Sequence, residues 1–373
     1  MANHFFVGLI DFRGVIIRGD SDTLRRHELY ADETKRLSSG RTSLICFSSV
    51  RAMNQIPKLT QLKFVGIKNR KFQLIRYSRK VSTYISHQQN HTPSMFIAGD
   101  PWESFWAATL IRKLTGKKIP IQVQIHADIS DYNWIKLTVR NRIRSLLATY
   151  AVNRAETIRL TSEIQKFNLV KRFPSSTSRI VVVPVPLNLP MEMKEIRGVR
   201  VRSIGLVGRI QIDRGLANFV EVVRKLAQED SDFSVVIIGD GPSRPEILGK
   251  LIDILGIGRV EFHGPLGGTK LQETWESIGV LASVAPAESY GRAIRESIYY
   301  GVPVWAVDSS GVRDAIENYP EFVKILDPDI PSKELIQIFN QMLSIQVPPS
   351  YSRQIHQANT ISAGKIVETW ITE

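Results

Sequence analysis

Two arginines, two glutamates and a glycine-marked turn carry the spacing in this chain best suited to chemistry. The run Arg202-Ser-Ile-Gly-Leu-Val-Gly208 reads as a buried parallel strand, with Arg209-Ile-Gln-Ile-Asp-Arg-Gly215 at its carboxyl end. Arg209 and Arg214 beside a helix start suit a diphosphate, held bidentately and without a metal. Two arginines on a solvated surface are the alternative. A second strand and turn follow: the apolar run Gly279 to Val284, stopped by Pro286. The turn holds Glu288, Ser289, Tyr290 and Gly291. A helix then runs from about Arg292 to Tyr300, with Ala293, Ile294, Ser297 and Ile298 facing a core. Open N–H groups near Tyr290, Gly291 and Arg292 favour an anion at the carboxyl edge of an α/β sheet, where ligands bind. Glu288 and Glu296 flank that position. Carboxylates do not bind phosphate, so their use is to accept hydrogen bonds from hydroxyls such as those of a sugar. An ordinary strand-to-helix turn, with a glutamate near the helix dipole, is the other reading.

The pattern Glu288-x7-Glu296, with Ser-Tyr-Gly after the first glutamate and Gly-Val-Pro-Val after the second, resembles a known motif. It is the E-x7-E of the family 4 (group 1) retaining glycosyltransferases. The resemblance covers most of the chain, is strongest over 202–307 and weak over 51–90. It implies an α/β fold of two doubly wound Rossmann-like domains facing a cleft (GT-B). It implies that Glu288 contacts the donor sugar, that Ser289, Tyr290, Gly291 and Arg292 contact sugar and phosphate, and that Glu296 holds the nucleotide ribose. The family pattern Gly-Arg then Lys-Gly falls on Gly208-Arg209 and Arg214-Gly215, with arginine in place of lysine. His126, ending the strand that starts at Pro120, resembles a cleft-lining position that touches sugar or acceptor. A hydrogen-bonded structural histidine is the alternative. The family often has paired glycines near the donor after the first strand; here Gly14 and Gly19 stand apart, with Gly14 the candidate contact.

At 373 residues the chain exceeds one hydrophobic core. The expected domains are 1–190 and 191–351, with a helical tail over about 352–373 that, in this fold, crosses back onto the first domain. The net charge of +13 is uneven: residues 1–188 carry +18 and residues 189–373 carry −5. The lone Cys46 cannot form an internal disulfide and reads as a core residue on a strand. The first residues lack a basic stretch and soon meet Asp11, which argues against a signal peptide. No apolar run approaches the roughly 18 residues of a membrane helix, so a cytoplasmic protein is expected. No metal and no cofactor are expected: there is no Cys/His cluster or HExxH. Asp20-Ser-Asp22 and Asp327-Pro-Asp329 match the metal-binding D-x-D only as short patterns do by chance. The absence of GxGxxG disfavours a nicotinamide enzyme, and no motif supports nucleic-acid binding.

Residues 51–90 are basic and poorly periodic and read as a solvated segment; Asp131 to Arg154 reads as one long basic helix; Met191 to Arg200 reads as a linker. The functional expectation is transfer of a glycosyl group from a nucleotide diphosphate sugar, with retained configuration, to a glycan or lipid-linked acceptor. A nucleotide-sugar epimerase, a phosphorylase on the same fold and an inactive sugar-nucleotide-binding relative remain as alternatives. The basic first half, where Lys63 to Lys80 and Lys136 to Arg144 mix cations with aromatic and aliphatic residues, points to an anionic membrane surface. An acidic acceptor or a merely basic surface would read the same way.

Overall fold

A computed structural model describes residues 4–18, 21–51, 62–68, 73–88, 91–187, 189–190, 200–230, 232–327 and 329–371. Gly19, Asp20, Arg70, Lys71 and residues 191–199 of the linker expected over Met191 to Arg200 lie outside the described residues. The chain divides into two compact units: Met1–Pro186 with Thr360–Glu373, and Leu187–Asn359.

Unit 1 is a seven-stranded sheet: β1 (His4–Asp11), β2 (Thr42–Val50), β3 (Lys63–Lys68), β4 (His91–Ala98), β5 (Ile121–Gln124), β6 (Thr157–Leu160) and β7 (Ile180–Val182). Its order is β3-β2-β1-β4-β5-β6-β7, and all the pairings are parallel. The strands are short apolar runs buried on both faces, as parallel strands covered by helices must be. Val7, Leu9, Leu44, Cys46, Met95 and Ile97 form one core face, closed by Tyr30 and by Ile366, Val367 and Trp370 from the end of the chain. Trp370 Nε1–H donates to Gln122 Oε1 at 2.8 Å. Cys46 is free and buried.

Unit 2 has β8 (Ser203–Val207), β9 (Ser234–Ile238), β10 (Val260–Phe262), β11 (Val280–Ser283), β12 (Val304–Ala306) and β13 (Val323–Ile325). Its order is β10-β9-β8-β11-β12-β13, again parallel. Alternate residues of β9 serve opposite faces: Val235 and Ile237 pack with Phe219, Leu251 and Phe339, whereas Val236 and Ile238 pack with Trp275, Ile294 and Ile298. Both units are therefore doubly wound α/β sheets.

Two expectations need correction. The stretch 51–90 holds β3 and a helix, Leu74–His87, whose Tyr77, Val81 and Ile85 are buried. Those three recur every fourth residue, a helical stripe hidden among the cations. The segment Asp131 to Arg154 is two helices, Tyr132–Leu137 and Val139–Arg154. Extended Thr138 separates them, and its hydroxyl accepts Asn141 N–H at 3.0 Å.

Candidate active site

In unit 2 the chain leaves β8 toward β9 and returns on the other side at β11, so β8 and β11 flank the switch point of the sheet. Side chains beyond the carboxyl ends of two such strands border a crevice. A pocket occupies it, lined by Gly208, Arg209 and Arg214 after β8 and by Val284, Glu288 and Gly291 after β11, among others. Five expected site residues thus meet in one place.

Local backbone makes that meeting possible. A 3-10 turn, Ile212–Arg214, leads to Gly215, which opens the helix Leu216–Glu229 at φ +75°. A Cβ on Gly215 would lie 1.9 Å from the Val284 carbonyl oxygen. Only glycine lets the two strand ends approach so closely. Arg214 Nη2 then donates to Glu288 Oε2 at 2.7 Å. The other oxygen, Oε1, accepts the Gly291 N–H at 3.1 Å. The Gly291 amide, expected to be open to an anion, is therefore engaged by the neighbouring carboxylate. Burial alone would raise the Glu288 carboxyl. The Arg214 charge and hydrogen bond, with the amides of Gly291 and Tyr290, outweigh burial and hold it below its ordinary value. Glu288 is thus a carboxylate at neutral pH. Arg209 is exposed at the pocket wall.

A buried ion pair that sequence reasoning missed holds the turn from behind. Arg295 donates to Asp314, on the helix Ser310–Asn318, and to the Tyr290 carbonyl; its guanidinium lies 3.9 Å from the Tyr290 ring centroid. Gly311 N–H donates to the Glu288 carbonyl at 2.7 Å, and a Cβ on Gly311 would meet Tyr290 N at 2.7 Å. The sequence signal was present: two charged residues, Arg295 and Glu296, stand between Ile294 and Ser297 in the Arg292–Tyr299 helix, and both are buried.

Among the described residues the pocket lining does not include Ser289, Tyr290, Arg292 or Glu296. Ser289 is buried. Glu296 is 7% exposed, and its Oε1 lies 3.5 Å from Arg292 Nη2. His126 and Gly14 belong to unit 1. Gly14 is buried, and its N–H donates to the Asp11 carbonyl at 3.0 Å. His126 sits two residues beyond β5. Gln165 Nε2 clamps the loop on both sides of it, donating to the Ile125 carbonyl at 2.9 Å and the Ala127 carbonyl at 3.0 Å. Solvent reaches the His126 side chain. Even so, the surrounding protein, then Arg159, Arg26 and His27, push its imidazole down to about 3, so it is neutral at pH 7. Asp327 serves its own turn, Oδ1 accepting Asp329 N–H at 2.9 Å. Among the described residues no group of three or more His, Cys, Asp or Glu could hold a metal ion.

Residues 201–344 match the family described as "Glycosyl transferases group 1". An alpha-D-kanosaminyltransferase of Streptomyces kanamyceticus is 35% identical over 131 residues, 34% of this chain and 33% of that protein. The chain spans 26% to 33% of the lengths of this and two other curated relatives. Among solved structures, sucrose-phosphate synthase from Thermosynechococcus elongatus aligns with a TM-score of 0.73 at 15% identity, over 98% of this chain and 94% of that one. The Anabaena protein HepE, solved with UDP-glucose, aligns with a TM-score of 0.68 at 15% identity, over 98% of each chain. At that identity these two show the fold, which is the two-domain GT-B architecture. Residues 201–344, the segment that builds the pocket, are thus similar to the group 1 glycosyl transferases.

Proposed function

We propose that this chain is a retaining glycosyltransferase. It moves a sugar from a nucleotide diphosphate sugar to a glycan or lipid-linked acceptor, in envelope polysaccharide or glycolipid synthesis. One observation carries the reading: Arg209, Arg214, Glu288 and Gly291 line one pocket at the switch point of the unit 2 sheet. The two guanidinium groups and the start of the Arg292–Tyr299 helix offer positive potential where a leaving diphosphate gathers charge. This reading needs no resident metal, because arginine supplies that charge and its fork geometry. HepE, which shares the fold, was solved with UDP-glucose, which supports a nucleotide sugar as donor.

Retention is supported by the E-x7-E resemblance and by the state of Glu288. Among the described lining residues Glu288 is the one carboxylate. Both of its oxygens are engaged, by Arg214 and by the Gly291 amide. A retaining glycosidase needs two carboxyl groups about 5 Å apart, one of them a nucleophile. The chemistry proposed here is instead front-face attack, assisted by the leaving phosphate. Glu288 orients the sugar hydroxyls, and the start of the Arg292–Tyr299 helix meets the phosphate. Glu296 holds the ribose. Neutral His126 and Gly14 are assigned to contacts from unit 1.

The test has two steps. Thermal shifts with UDP-, GDP- and ADP-sugars find the donor, since a ligand at 100 Kd adds about 2.7 kcal/mol of stability. Proton NMR of the released or transferred sugar then gives the anomeric configuration. An inverted product would remove the retaining mechanism; no shift with any nucleotide would remove the donor site.

A further inference from the structure

The helix Val139–Arg154 of unit 1 is built inside out. Its buried face is made of small residues, Ser145, Ala148 and Ala151, with Val152. Its large apolar residues face solvent: Val139 is 69% exposed, Ile143 53%, Leu146 69%, Leu147 40% and Tyr150 44%. These five recur at i, i+4, i+7, i+8 and i+11, a single stripe of a helix with 3.6 residues per turn. Exposed Arg140 and Arg142 fall on opposite borders of that stripe. The apolar surface extends through half-exposed Trp106, which meets Tyr150 edge-on with centroids 6.2 Å apart. The preceding helix adds exposed Tyr132, with Lys136 Nζ 4.0 Å from its ring centroid. No acidic residue occurs from Tyr132 to Ala155.

The helix is firmly held, so the exposure is not fraying. Ser145 Oγ donates to the Ile129 carbonyl at 2.7 Å, and Trp102 Nε1–H donates to the Arg144 carbonyl at 2.7 Å. Trp134 of the preceding helix is buried and stacks on Trp102, and the Arg144 guanidinium lies 4.6 Å from the Trp102 ring. A solvated apolar stripe of this size on a rigid element marks an interaction surface.

We propose that this helix docks the protein on an anionic lipid leaflet, with Ile143, Leu146 and Tyr150 in the acyl boundary and Lys136, Arg140 and Arg142 at the headgroups. The inference rests on unit 1 alone and stands apart from the transferase reading. Cations bordering an apolar stripe, with no acid among them, match that surface: stems lie along the hydrocarbon and charges reach the phosphates. A second copy fits worse, because it would bring two halves of +18 each together.

Flotation of the full chain with vesicles of phosphatidylglycerol and phosphatidylcholine, against phosphatidylcholine alone, tests it. The wild type should float with the anionic vesicles at low salt and be released as salt rises. Arg140→Gln/Arg142→Gln should lower partition on the order of 20-fold, at about fivefold per cation. Ile143→Ser/Leu146→Ser should abolish flotation while keeping the wild-type melting temperature and nucleotide-induced thermal shift. Equal flotation with both vesicle types, no flotation with either, or wild-type flotation of the serine variant would each overturn the proposal. So would a dimer by light scattering that the serine variant makes monomeric without any vesicle binding.

Discussion

In unit 1 the strands beside the switch point, β1 and β4, lead to Asp11 and Asp100; in unit 2 their counterparts, β8 and β11, lead to Arg209 and Glu288. Asp11 accepts the amides of Val15 at 2.7 Å and Ile16 at 3.1 Å and the Ser48 hydroxyl at 2.8 Å. Asp100 accepts the amides of Trp102 at 2.9 Å and Ser104 at 3.2 Å. The helix starts of unit 1 are thus closed by the protein's own carboxylates. In unit 2 the helices begin at Gly215 and Gly291, which carry no capping side chain, and the carboxylate that accepts the Gly291 amide, Glu288, is itself paired with Arg214. Two guanidinium groups stand beside them. The strand order fixes where a ligand can sit; the residues just past the strands decide whether the protein fills that place itself.

The largest way to break this contrast is to remove the support behind the unit 2 turn. Arg295→Met removes the guanidinium that pairs with buried Asp314 and donates to the Tyr290 carbonyl. We expect a loss of about 3–5 kcal/mol in urea unfolding, and recovery of most of it in Arg295→Met/Asp314→Leu. A single variant as stable as the wild type would show that the turn holds itself.

Next in size is the charge itself. Arg209→Ala and Arg214→Ala should each slow transfer by roughly 10²-fold or more, as lost oxyanion donors do. The double variant should also lose UDP and GDP binding by calorimetry. Unchanged nucleotide binding there would mean that the cationic side of the contrast is not a diphosphate site.

How much of this could be read from the chain alone depends on where the signal lies. Strands β8 and β11 and the Arg292–Tyr299 helix were legible because buried parallel strands are continuous apolar runs and the helix repeats Ile294 and Ile298. Arg209, Arg214 and Glu288 were legible because they follow strand ends directly. Their mutual contact was not: Arg214 and Glu288 are 74 positions apart, and only the Gly215 approach to Val284 brings them together. Arg295 was passed over because its partner, Asp314, lies on another helix. The helix Leu74–His87 was hidden because cations between Tyr77, Val81 and Ile85 masked the stripe.

Smaller effects should separate the two glutamates. Glu296→Gln should raise KM or nucleotide Kd with little change in kcat, since a ribose contact is felt equally in ground and transition states. Glu288→Gln should chiefly lower kcat, through weaker orientation of the sugar and a released Arg214. Normal kinetics in both variants would end the E-x7-E reading.

The smallest expected effect is one of sign, and it sets the two switch points directly against each other. Burial raises the Asp11 carboxyl above 3.8, although Ser48 and the amides of Val15, Ile16 and Ile17 oppose it. Burial also acts on Glu288, but Arg214 and two amides pull that carboxyl below 4.5. A depressed folded pKa contributes stability that is present above the unfolded value and lost as pH falls through the folded one. The advantage of wild type over Glu288→Gln should therefore shrink as pH drops below 4.5. A raised folded pKa works the other way: ionisation of Asp11 opposes folding above its folded value, and protonation relieves this on the way down to 3.8. Wild type should therefore gain on Asp11→Asn over that window. Urea midpoints measured from pH 7 to pH 3 would show the two differences moving in opposite directions. Two differences moving together would mean that Arg214 does not govern Glu288, and that the charge contrast between the units is only one of sequence.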